Sequence, residues 1–186
     1  MKHSYRFVGI IFMLSALNLN GQDFAKMGIW ELGGNISYTS ITSVSNGETG
    51  ENSLGTFTLD VPVYYFVIDG LALGLIPNYV NLSFGESSAS AFDILFGLAY
   101  NIATGSTAYP YGEGRIGYNT TSNGETASGI VWAVIGGVKV QVGGNALVNI
   151  GIEYSQSTLE RSGNESGRDG TNVFAIRAGF AIFLEP

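Results

Sequence analysis

The chain has 186 residues, a formal net charge of −7 and only 12% charged residues, about half the usual ~25%. That balance offers no basic patch for phosphate and excludes nucleic acid as a partner. The absence of cysteine excludes disulfides and thiolate chemistry, and no apolar run reaches the ~20 residues of a membrane-spanning helix.

The N-terminus reads as a cleavable secretory signal. Lys2 and Arg6 precede an apolar stretch at 7–17 and a polar segment at 18–21 that ends on Gly21. The apolar stretch is too short for a membrane helix. Cleavage after Gly21 divides the chain into a signal peptide at 1–21 and one domain at 22–186. It also removes His3, the single histidine.

The first predicted strand is 28–39. Trp30, Leu32, Gly34, Ile36 and Tyr38 share one face, and Glu31, Gly33, Asn35, Ser37 and Thr39 share the other. A polar loop is expected at 41–55. The second strand, 56–68, carries Phe57, Leu59, Val61, Val63, Tyr65 and Val67 on its apolar face, with Asp60 opposite. Pro62 lacks an N–H, so a bulge or weak point in the ladder is expected there. Asp69-Gly70 is a tight hairpin signal.

The third strand, 71–82, alternates clearly at Leu71, Leu73 and Leu75. Its phase blurs after Pro77, with Val80 and Leu82 as candidates for having changed face. A loop is expected at 83–90. The fourth strand has the clearest pattern of all. Phe92, Ile94, Phe96, Leu98, Tyr100 and Ile102 occupy every even position, against Asp93, Leu95, Gly97, Ala99 and Asn101. A strict period of two is a strand with one greasy face.

The fifth strand, 107–118, places Glu113 and Arg115 on its polar face, and a polar loop is expected at 119–128. The sixth, 129–141, sets Ile130, Trp132, Val134, Val138 and Val140 against Lys139 and Gln141. Gly143-Gly144-Asn145 is a turn. The seventh, 146–155, holds Glu153 on its polar face and leads into a charged loop at 156–170. The eighth, 172–184, alternates Phe174, Ile176, Ala178, Phe180, Ile182 and Leu184 with Arg177 on the other side.

Alternation alone does not say which face is inside, because a soluble lipocalin-like barrel also alternates. The polar face here is mostly Gly, Ala, Ser and Asn with about one charge per strand, which suits a cramped lumen rather than a wet surface. Aromatics bracket the apolar face. Trp30 and Tyr38, Phe57 and Tyr65, and Phe92 and Tyr100 recur at one spacing, while Tyr118, Trp132, Tyr154 and Phe174 mark strand ends. Eight residues at ~3.3 Å, tilted by ~40°, rise roughly 20 Å, close to the ~25 Å apolar band of a transmembrane barrel. The connections alternate between polar and tight. These features predict an all-β fold, an eight-stranded antiparallel up-and-down β-barrel in the outer membrane of a Gram-negative bacterium.

The predicted lumen then holds Glu31, Asp60, Asp93, Glu113, Arg115, Lys139, Glu153 and Arg177. Unpaired charges in so narrow a space are costly, so an ion-pair network is expected. Two roles follow. One is a structural or surface-interaction barrel with a plugged lumen. The other is a narrow channel for small polar or hydrophobic solutes. If the faces were inverted, a secreted soluble carrier would replace both.

No catalytic residue, metal site or cofactor is predicted. With no histidine left after the expected cleavage and no cysteine, a Ser-His-acid triad or thiol site cannot be built, and neither Lys26 nor Lys139 is marked for a Ser-Lys dyad. Gly112-Glu113-Gly114-Arg115-Ile116-Gly117 matches a dinucleotide fingerprint in letters alone, since it lies inside a strand with no helix after it. The loop acids Glu48, Glu51, Glu86, Glu125, Glu160, Glu165 and Asp169 outnumber Arg161 and Arg168, and none has calcium-loop spacing.

From 28 to 184 the chain resembles the small eight-stranded outer-membrane barrels, such as the OmpA membrane domain, OmpX and OmpW, and the broad outer membrane protein β-barrel domain group. The phrase Gly28-Ile29-Trp30-Glu31-Leu32-Gly33-Gly34 opening the first strand carries the likeness. The resemblance implies insertion by the barrel assembly machinery and roles from structural anchoring to adhesion to small hydrophobic-solute passage; the expected partners are outer-membrane lipid and lipopolysaccharide, and a monomer is expected. Such barrels end on an outward aromatic; the matching position here is Leu184, followed by Glu185 and Pro186.

Overall fold

The computed structural model describes residues 24–45, 48–85, 87–123, 125–160 and 168–185. The signal segment expected at 1–21 lies outside them. Among the described residues there are nine strands: β1 (Trp30–Ser45), β2 (Glu48–Asp60), β3 (Val63–Ile68), β4 (Leu71–Phe84), β5 (Ser87–Asn101), β6 (Ala108–Asn123), β7 (Glu125–Gln141), β8 (Ala146–Glu160) and β9 (Arg168–Leu184). Each pairs antiparallel with its neighbours, and β1 closes on β9 from Trp30 opposite Leu184 to Gly34 opposite Phe180. A closed sheet leaves no edge whose backbone groups would go unsatisfied in lipid.

The barrel nevertheless has eight walls. β2 and β3 are one wall interrupted at Val61 and Pro62, because both pair with β1 on one side and β4 on the other. The register does not slip across the gap. Asn35 lies opposite Asp60 and Leu32 opposite Val63, as an unbroken ladder requires. Pro62 therefore makes no bulge. Its carbonyl still accepts from the Gly33 N–H at 2.8 Å, and the Val61 N–H donates to the Pro77 carbonyl at 3.0 Å.

The third predicted strand also resolves. β4 pairs with β5 without a shift from Leu71 opposite Tyr100 to Phe84 opposite Ser87. The backbone keeps its phase throughout. What changes is chemistry. Ile76 is fully buried and Asn78 reaches the inward Asp93, so the even positions of β4 face inward, Val80 among them.

The expected loops at 41–55, 83–90, 119–128 and 156–170 are corrected. Their described residues mostly continue the ladder, so that β6 runs to Asn123 and β7 starts at Glu125, while 46–47, 86, 124 and 161–167 lie outside the described residues. Crossing lipid takes ~9–11 residues, whereas β7 and β9 have 17 each. Beyond the belt both faces of a strand meet water, so alternation vanishes from the sequence while hydrogen bonding persists.

The faces divide as an inside-out protein. On β5, Phe92, Ile94, Phe96, Leu98 and Tyr100 are exposed, while Asp93, Leu95, Ala99 and Asn101 are buried. On β9, Phe174 is 71% and Ile176 81% exposed. A contiguous apolar exterior of this extent is not stable in water. At the end carrying the short turns, Phe24, Phe66, Tyr109 and Phe183 form a buried aromatic cluster.

Candidate functional site

Period two puts the charged positions into the lumen, and inward glycines make room for large rings there. A Cβ on Gly97 or Gly74 would collide with Tyr64, and one on Gly137 or Gly151 would crowd Tyr111. Tyr64 is thus laid across the wall, and its hydroxyl donates to Glu113 Oε1 at 2.5 Å.

Five of the eight predicted charges join in one chain. Arg115 Nε donates to Glu113, and Arg115 Nη1 donates to Asp60 Oδ2 at 2.7 Å. Arg177 donates from Nη2 to the same Asp60 oxygen and from Nη1 to Glu153. Asn35 Nδ2 lies 3.4 Å from the other Asp60 oxygen. The chain ties β2, β6, β8 and β9 together across the lumen.

The remaining three charges stand apart. Lys139 Nζ donates to Glu31 Oε2 at 2.7 Å, nearer the short-turn end. Lys139 is 2% exposed, and the rings of Tyr111, Phe24 and Tyr64 lie 5.0, 5.4 and 5.8 Å from its ammonium. Ring faces suit a cation withdrawn from water. Asp93 has no basic partner among the described residues. It accepts from Asn78 Nδ2 at 2.8 Å and from Asn119 Nδ2, and the Thr121 hydroxyl donates to Asn119 Oδ1 at 2.9 Å. The predicted single network is therefore a chain, a pair and an amide-clamped carboxylate.

Sequence reasoning missed Tyr64, Tyr111, Asn78, Asn119 and Phe24. Tyr64 carries a signal in hindsight, since it and Phe66 are large residues at inward parity beside the outward Tyr65. Between Glu31, Tyr64, Tyr111, Arg115, Lys139 and Arg177 there is a void of about 20 Å³, room for a single water. Asn149 borders it with an unpartnered Oδ1.

The predicted aromatics lie on the outer wall. Trp30 and Tyr65 are in ring contact at 4.9 Å, with Tyr100 exposed at the same, short-turn end. Phe92, Tyr118, Trp132, Tyr154 and Phe174 are exposed toward the other end. Trp132 and Tyr154 are 5.7 Å apart, and the Trp132 indole donates to Gln156 at 3.1 Å. Phe57 is half-buried. The Tyr38 side chain lies outside the described residues.

No protein-family model matches the chain, and no curated protein matches it in sequence. Solved structures do share its fold. The crystal structure of Neisserial surface protein A matches with a TM-score of 0.56 at 16% identity, covering 83% of this chain and 96% of that one. The outer membrane protein OprG from Pseudomonas aeruginosa matches with a TM-score of 0.54 at 13% identity, covering 88% of this chain and 99% of that one.

The chain has the fold of the small eight-stranded outer-membrane barrels. Its exposed apolar belt and buried charges are the reverse of a soluble carrier, which needs its greasy face inside, so that alternative is overturned. The chain shares the fold of these outer-membrane proteins, with an apolar exterior and a charged interior. Within such a barrel, Trp and Tyr at both edges of the belt sit where hydrocarbon meets headgroups.

Proposed function

We propose that this barrel is a structural or surface-interaction component of the outer membrane, with its lumen plugged by the charged chain rather than open to solutes. The observation that supports the reading is the bridge from Glu113 through Arg115, Asp60 and Arg177 to Glu153, which crosses the lumen and leaves a void of about 20 Å³. Hydrated ions do not pass a space of one water. Moving the bridge means separating buried charges, which costs several kcal/mol. The reading assigns the barrel no catalysis. Its partners are membrane lipid along the belt, lipopolysaccharide in the outer leaflet and the assembly machinery during insertion, with the folded protein a monomer.

Planar-bilayer recording of the purified barrel tests this directly. A plugged lumen gives no current steps above baseline. Regular steps would replace the reading with a narrow channel for small solutes.

A further inference from the structure

Phe24, ahead of the first strand, is fully buried at the short-turn mouth of the barrel. Its ring meets Phe66 at 5.1 Å, Tyr109 at 5.3 Å and Phe183 at 5.4 Å, and it lies 5.4 Å below the Lys139 ammonium. The ladder begins at Gly28 and Ile29, where the Gly28 N–H donates to the Phe66 carbonyl at 2.9 Å and the Phe66 N–H donates to the Ile29 carbonyl at 3.0 Å, whereas the backbone of 25–27 is tied to a turn. The Gly70 N–H donates to the Ala25 carbonyl at 2.8 Å, and the Met27 N–H donates to Asp69 Oδ1 at 2.9 Å. One ring therefore completes the floor of the lumen.

Three features make this closure movable. Gly28 has a φ of 94°, a left-handed conformation that suits glycine, at the junction between the segment and the ladder. A recess of about 340 Å³ lies beside Ala25 and Lys26, walled by Gly70, Asn101, Ile102 and Tyr109, and leaves room for a swing. The seat is also imperfect. Asn101 is 1% exposed and neither atom of its carboxamide has a partner, a buried defect that a shifted segment with entering water would relieve.

We propose that residues 24–27 form a latch on the short-turn mouth, and that small solutes reach the part of the lumen below the charged chain from that side only when the latch lifts about Gly28. The latch rests on the reading of a closed lumen, yet the two fail separately. Current through the native barrel would sink the plug, whereas the latch has its own readout.

The chain has no cysteine, so Asn149→Cys puts a single thiol at the void, directly opposite Lys139 in the β7–β8 ladder. Its reaction with a small neutral methanethiosulfonate is followed in folded barrel, with heat-dependent gel mobility as the control for folding. The parent labels slowly. Phe24→Ala speeds labelling at least tenfold, and Phe24→Leu, which still fills the seat, leaves it slow. Asp69→Ala removes only the acceptor for Met27 in an exposed turn and gives a rise of a few-fold, so it carries the test should Phe24→Ala not fold. Unchanged rates in a folded Phe24→Ala barrel overturn the latch. A parent thiol already as reactive as one at the exposed Met27 overturns it too.

Discussion

Arg115 and Arg177 donate to the same oxygen of Asp60. Two guanidinium groups from β6 and β9 thus share one acceptor on β2, and Asp60 is the link without which the chain across the lumen divides. Asp60→Asn leaves Arg115 with Glu113 and Arg177 with Glu153, but removes the charge that holds the two cations side by side. The expected cost is about 3 kcal/mol, the lower end for breaking a buried pair, because each arginine keeps one acid. Urea unfolding of barrel refolded into lipid vesicles, read by gel mobility, measures it.

Asp93→Asn provides the contrast. Among the described residues Asp93 is held by two amides and no cation, and Asn78 Oδ1 has no partner. The Asn78 amide can turn over and accept from the new side chain, exchanging a charge-assisted bond for a neutral one. The expected loss is about 1 kcal/mol or less. The same unfolding assay checks the order. A loss equal to that of Asp60→Asn would mean that Asp93 pairs with a cation after all.

The Glu31–Lys139 pair is embedded among rings, so its two halves should be strongly coupled. Glu31→Leu strands the Lys139 ammonium beside Tyr111, Phe24 and Tyr64 and should cost about 3–5 kcal/mol. Adding Lys139→Met removes the stranded charge and should restore most of the loss, because well-packed apolar replacements of buried pairs are often neutral or better. A double-mutant cycle measures the coupling, expected at about 2–3 kcal/mol.

Which side of the wall each residue takes is legible in the sequence, because a strand allows two faces and the apolar one is continuous from Phe92 to Ile102. Who meets whom is not. Asp60 is 55 residues from Arg115 and 117 from Arg177, and Glu31 is 108 from Lys139. Such pairings depend on stagger between walls, which parity does not carry. Asp93 shows the same limit, since its amide partners look like ordinary lumen residues until β4 and β6 flank β5. The expected polar loops failed for a different reason. Outside the belt, solvent on both faces removes the pattern without removing the strand. Phe24 was hidden because it lies ahead of the alternation that defines the barrel.

The inward glycines should behave unlike the outward ones. A methyl on Gly97 meets the Tyr64 hydroxyl and the Ile76 side chain, whereas nothing lies within 4 Å of one on Gly112. Gly97→Ala should push Tyr64 off Glu113 and cost about 1–3 kcal/mol as overpacking. Gly112→Ala should be neutral or stabilise by up to ~1 kcal/mol, since Gly is the weaker strand residue. Adding Tyr64→Phe to Gly97→Ala should recover part of the loss, and no recovery would place the clash at Ile76 instead.

Phe96 separates a membrane exterior from a wet one most cleanly. It is 68% exposed and lies midway between Phe92 and Tyr100 on β5, hence near the middle of the belt. In a bilayer Phe96→Arg should cost about 2–4 kcal/mol, whereas Arg at the interface costs ~0–1 kcal/mol. On a water-facing wall the same change would fall within about 0.5 kcal/mol of neutral. The sign of the comparison matters more than its size. Phe96→Arg should destabilise the barrel more than Phe174→Arg, although Phe174 is also exposed, because Phe174 lies toward the belt's edge. Unfolding in vesicles of defined thickness checks this, and thinner bilayers should narrow the gap. Equal costs at the two positions would contradict the placement of the belt across β5 and β9.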